Sequence, residues 1–135
     1  MTRARGAPLT RAFVDTSALL ALLVPTDSHH AGAVRAFERL RLAGAELITS
    51  SYVLSEVYAL LGRRFGLTAV SNFRKLFAPV LDIVWVDEAL HERALDLLAS
   101  RSRRRLSLVD AVSLVIIEDS LVDEIFAFDK HLVGT

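Results

Sequence analysis

Four carboxylates far apart in the chain, Asp15, Glu56, Asp110 and Asp129, each stand where a strand gives way to a helix or in the early turns of a helix. Each also has an ordinary structural use. Asp15 can cap the helix that follows it, Asp129 can make an Asx-turn before Lys130, and Ser107-x-x-Asp110 has the form of a capping box. A wheel over Tyr52–Phe65 puts Val53, Leu54, Val57, Tyr58, Leu60 and Leu61 on the apolar arc, with Glu56 at its border. Jointly the four acids point to chemistry. Clustered carboxylates repel one another and need a cation, and an all-oxygen donor set suits Mg²⁺ or Mn²⁺. Such an ion activates water and neutralises the charge of a phosphodiester. Asp15 and Asp110 are the expected metal ligands, with the Thr16 and Ser17 hydroxyls placed to orient Asp15 or a metal-bound water.

Convergence of these residues requires a particular fold. Residues 12–14 (AFV), 45–49 (AELIT), 81–86 (LDIVWV) and 124–128 (EIFAF) read as strands, short and mostly apolar. Between them lie helical patterns over 16–23, 28–43, 51–65, 67–77 and from 87, with one more opening at Ser107. Alternating strands and helices imply an α/β fold: one central, mainly parallel sheet of four or five strands, flanked by helices and joined by right-handed crossovers. Its strand C-terminal edge is the expected place for a site, above all where strand order reverses. Asp15 and Asp129 should emerge there. Trp85, inside the third strand, is expected in the core.

Composition narrows the rest. The 135 residues fit one domain, read as a leader over 1–11 and a folded unit over 12–135. Hydrophobic residues make up 53% of the chain, yet no apolar run reaches the ~18 residues of a membrane span. The surplus points to a buried subunit interface. Arg3, Arg5 and Arg11 before 18-ALLALLV-24 imitate a signal peptide, but Asp15 and Asp27 interrupt it. With no Cys, a reducing cytoplasm fits. Net charge is zero, so a polyanion would need a metal or a local basic patch. Arg63, Arg64, Arg103, Arg104 and Arg105 could supply that patch. His29, His30, His91 and His131 lack the spacing of a zinc helix and are expected to be exposed.

Four segments in order, 13-FVDTSALLALL-23, 50-SSYVLSEVYALL-61, 106-LSLVDAVSLVIIED-119 and 125-IFAFDKHL-132, resemble the PIN-domain nucleases, most of all the VapC-type toxins of toxin–antitoxin pairs. The resemblance implies a metal-dependent endoribonuclease with Asp15, Glu56, Asp110 and Asp129 at the family's acidic positions and Ser107 at its small hydroxyl position. It also implies a homodimer and a cognate antitoxin that blocks the cleft. Ala127 departs from the pattern, standing where many relatives carry a hydroxyl, and Leu132 stands for a frequent Phe. Two other readings compete. A receiver-like domain also uses strand-end acids and Mg²⁺, with Lys130 as its lysine, but it needs adjacent acids after strand one and a phosphoacceptor before a loop, whereas Asp15 stands alone and Asp87 is expected to start a helix; a non-catalytic metal-binding interaction module would need no chemistry.

Overall fold

The computed structural model describes residues 10–100 and 106–128. Strand β1 spans Arg11–Val14, and helices α1 (Thr16–Leu23) and α2 (His30–Leu42) lead to β2, Glu46–Ser50. Helices α3 (Ser51–Phe65) and α4 (Leu67–Asn72) follow. The chain then passes through a π-helical turn (Phe73–Phe77) and a 3₁₀ turn (Ala78–Val80) into β3, Asp82–Val84. Helices α5 (Glu88–Ser100) and α6 (Leu108–Asp119) precede β4, Glu124–Phe126.

All four strands are parallel, in the order β3-β2-β1-β4. β1 therefore lies between β2 and β4: the chain leaves it toward one side of the sheet and returns to its other side. The order reverses at β1. Its residues are apolar on both faces because helices cover both, and Ala12, Phe13 and Val14 are all essentially inaccessible. Burial of Phe13 alone stabilises the fold by about 1.5–3 kcal/mol relative to exposure. Leu19, Leu40, Val53, Val57, Phe73 and Val112 bring the helices onto this centre.

Helix ends are set by local chemistry. Ser50 Oγ accepts from the Val53 amide at 3.0 Å and starts α3 where β2 stops. At the opposite edge, α2 ends in a Schellman turn: Gly44 N donates to Arg41 O and Ala45 N to Leu40 O, both at 3.0 Å. Gly44 takes φ +68°, which a side chain would strain. That edge also carries Arg11, paired with Glu46 at 3.2 Å and donating to Ser120 O at 2.8 Å.

Two expectations need correction. β3 is shorter than the apolar run 81–86, and Trp85 lies outside it, 72% exposed. β3 is an edge strand with one neighbour, and the Val86 amide leaves the ladder to donate to Ser51 Oγ at 2.9 Å. Histidines are also less free than expected. His30 Nδ1–H donates to Ala21 O at 2.8 Å, and His91 Nδ1 shares a 2.6 Å hydrogen bond with the Tyr52 hydroxyl. Of the leader expected over 1–11, residues 1–9 lie outside the described residues, as does His131, while Arg11 already belongs to β1.

Candidate active site

Asp15 is the first residue past the central strand, at the point of strand-order reversal. Its amide still belongs to the sheet, donating to Phe126 O at 3.1 Å. Its side chain caps α1: Oδ2 accepts from the Ser17 amide at 3.4 Å and from Ser17 Oγ at 3.1 Å. Capping does not exhaust its role. The carboxyl is 3% exposed, and its pKa is pushed up to about 6, chiefly by burial. The Thr16 and Ser17 amides and the Ser17 hydroxyl pull it down, while the negative charge of Asp110 adds to the rise.

Asp110 comes to the same place from α6. Its own amide donates to Ser107 Oγ at 3.1 Å, and its Oδ2 accepts from the Ser107 amide at 3.2 Å, so the capping box read from the sequence is formed. A solvent-facing cap would be exposed; Asp110 is 8% exposed and bears electrostatically on Asp15. The local role and the site therefore coexist in one side chain. Among the described residues, ion pairs join Arg11 to Glu46, Arg39 to Glu124 and Arg93 to Asp119, and none of these engages Asp15 or Asp110.

Glu56 enters from the second turn of α3, half-buried. Its Oε1 accepts from Thr16 Oγ1 at 2.6 Å, a contact between residues 40 apart in the chain. Thr16 thus serves Glu56, while Ser17 serves Asp15. Ser17 Oγ also accepts from the Phe128 amide at 2.8 Å, so one hydroxyl joins the end of β1 to the segment beyond β4. Thr49 completes the frame by donating to Val14 O at 2.7 Å from a fully buried position. Sequence reading passed over Thr49, whose hydroxyl in an apolar strand demanded a buried acceptor.

Among the described residues no group of three or more His, Cys, Asp or Glu side chains is placed to hold a metal ion. What they supply is a pair of buried oxygen donors, Asp15 and Asp110. Asp129 follows Phe128 in the chain and lies outside the described residues, as do Arg103, Arg104, Arg105 and Lys130. Arg63 and Arg64 occupy the last turn of α3 and are exposed. They stand about 10 Å along the helix axis from Glu56, toward the other edge of the sheet. Asp87 is engaged locally, its Oδ1 capping α5 through the Leu90 amide at 2.9 Å, unlike a phosphoacceptor on an open loop.

A sequence profile of the PIN domain matches residues 12–133. The 23S rRNA-specific endonuclease VapC20 of Mycobacterium tuberculosis, in two strains, is 32% identical over 118 residues, 87% of this chain and 88% of the relative. A crystal structure of Mycobacterium tuberculosis VapC20, described as a sarcin–ricin loop cleaving toxin, superposes with a TM-score of 0.78 at 30% identity, covering 91% of this chain and 93% of the other. The chain belongs to the PIN-domain family, as a VapC-type member.

Proposed function

We propose that this protein is a metal-dependent endoribonuclease toxin, which hydrolyses RNA phosphodiester bonds and is held in check by a cognate protein antitoxin. The observation that carries the reading is the buried Asp15–Asp110 pair at the switch point of a PIN-domain sheet. Two buried carboxylates that have no ion-pair partner among the described residues are costly to ionise together, and a divalent cation removes the cost. Their hard oxygens fit Mg²⁺ or Mn²⁺, and two carboxylates suffice, since Mg²⁺ retains waters and takes the remaining contacts from substrate phosphates. When bound, such an ion lowers the pKa of a water and stabilises charge on the phosphodiester.

The polypeptide does the positioning. Ser17 holds Asp15 by Oδ2, and Ser107 holds Asp110 by Oδ2, so each carboxylate keeps its other oxygen for the ion. Glu56, fixed through Oε1 by Thr16, keeps Oε2 to take a proton from the attacking water. Asp129 joins the site as the fourth acid. Arg63 and Arg64, with Arg103, Arg104 and Arg105, contact phosphates of the RNA away from the scissile bond.

The names of the VapC20 relatives support RNA as the substrate and the cytoplasm as the compartment. Among the described residues no helix is long and apolar enough to cross a membrane. An apolar cleft of about 400 Å³, walled by Leu23, Leu61, Phe65, Phe73, Leu76 and Phe77, supports protein partners: the antitoxin and a second copy of the chain. Leu76, in its wall, is 76% exposed.

Cleavage of total cellular RNA by the purified protein and its Asp15→Asn variant, with Mg²⁺, Mn²⁺ or chelator, tests the reading. The parent should cut only with metal. Loss of the carboxylate should lower the rate at least ~10²-fold. Equal cleavage by both proteins would remove Asp15 from the chemistry, and no cleavage by either would leave a binding module.

A further inference from the structure

His29 and Phe128 form a stacked pair, with ring centroids 4.5 Å apart and planes inclined by only 13°. Both partners are fixed. The His29 amide donates to Asp27 Oδ1 at 2.8 Å, and the next residue, His30, is anchored by its amide on Asp27 O and by its ring on Ala21 O. Phe128 packs edge-on against the buried Phe126, centroids 6.2 Å apart. Its amide donates to Ser17 Oγ, the hydroxyl that in turn donates to Asp15. One hydroxyl therefore separates the Phe128 amide from the carboxylate of Asp15.

Burial does not explain the arrangement, because His29 is exposed while Phe128 is half-buried. Phe128 covers one face of the imidazole, so the exposed surface of His29 is its outer face and rim. An aromatic face held rigidly, open to solvent and tied to a phosphodiester-cleaving centre has the features of a base-stacking surface. Unpaired RNA bases stack on aromatic side chains, histidine included, and on a rigid ring they do so at low cost in entropy. Duplex bases cannot, since neighbouring pairs already cover their faces.

We propose that His29, backed by Phe128, is a nucleobase subsite that stacks an unpaired base next to the phosphodiester held at Asp15. The proposal rests on the ribonuclease reading of that site. Because stacking has no preference for a base edge, the subsite selects an extruded base rather than a particular letter.

The test uses RNA hairpins carrying 2-aminopurine at each loop position in turn, whose fluorescence is quenched on stacking, with chelator present so that binding is read without cleavage. For one loop position the parent should quench strongly. His29→Ala should lose that quenching and bind at least about 5-fold more weakly, from the usual strength of base–aromatic stacking. His29→Trp should restore both, and a fully paired duplex should show no dependence on residue 29. Equal binding and quenching by parent and His29→Ala would overturn the proposal, as would a loss that Trp does not repair or a parent that binds no hairpin. Failure of the ribonuclease reading is read separately, as equal metal-dependent cleavage by the parent and Asp15→Asn.

Discussion

Thr16 Oγ1 donates to Glu56 Oε1 over 2.6 Å and so locks the start of α1 to the second turn of α3. A short bond to a half-buried carboxylate contributes more than a neutral surface contact, and breaking it leaves an acceptor to be satisfied by water alone. Thr16→Val keeps the shape and removes the donor. It should cost about 1–2 kcal/mol in denaturant unfolding and lower the cleavage rate by freeing Glu56. Glu56→Gln keeps an acceptor for Thr16, so it should lose cleavage with little loss of stability. An equal stability loss in both variants, with cleavage intact in Glu56→Gln, would make the pair purely structural.

Asp15 gives stability a defined pH dependence. Its folded pKa of about 6 lies above the ordinary 3.8, so the folded state binds the proton more tightly than the unfolded chain. This contribution is fully present below about pH 4 and is lost as pH rises through about 6. Its full size is on the order of 3 kcal/mol. With chelator, the stability of the parent relative to Asp15→Asn should therefore fall between pH 4 and 7. Mn²⁺ should restore it above pH 6, because the ion binds the deprotonated carboxylate of the folded protein only. A parent-minus-variant difference that is flat with pH would remove the buried, unpaired state of Asp15.

Much of this fold is legible in the chain because local and tertiary preferences agree there. The run 12-AFV-14 followed by 16-TSALLALL-23 reads as strand then helix, and Ser107 with Asp110 reads as a capping box that is indeed formed. Legibility fails where a residue answers to something distant. Trp85 looks like core because its neighbours are β-formers, yet pairing with β2 stops at Val84 and the Val86 amide turns to Ser51. Bonds from Thr16 to Glu56 and from Thr49 to Val14 O depend on how elements cross, which no spacing encodes. Asp15 and Asp110 were legible as acids with two competing roles, and the structure shows that each also serves as a helix cap.

Gly44 offers a control for stability without chemistry. It sits in the α2–β2 turn, at the sheet edge away from Asp15, and nothing lies within 4 Å of where a Cβ would stand. Its φ of +68° is therefore the whole obstacle to a side chain. Gly44→Ala should cost about 1 kcal/mol, read as a lower denaturant midpoint, with RNA cleavage at permissive temperature unchanged. A fall in cleavage as large as that of Thr16→Val would show that such losses report stability rather than Glu56.

Asp110 and Ser107 share one capping box but should part company when metal is present. Ser107→Ala removes the acceptor for the Asp110 amide and should destabilise the protein by about 1 kcal/mol, alike with chelator and with Mn²⁺. Asp110→Asn leaves the backbone half of the box intact and keeps an amide oxygen, a weaker acceptor than a carboxylate, for the Ser107 amide, and it removes the charge that bears on Asp15. In chelator these effects oppose one another, and the variant should be as stable as the parent within about 1 kcal/mol. Its stabilisation by Mn²⁺ should shrink sharply, and cleavage should fall with it. Combining Asp110→Asn with Asp15→Asn should then remove little further metal response, because the two act on one ion and their effects are not additive. Melting curves of both single variants and the double variant, in chelator and in Mn²⁺, decide the matter. Full Mn²⁺ stabilisation of Asp110→Asn would confine Asp110 to its cap.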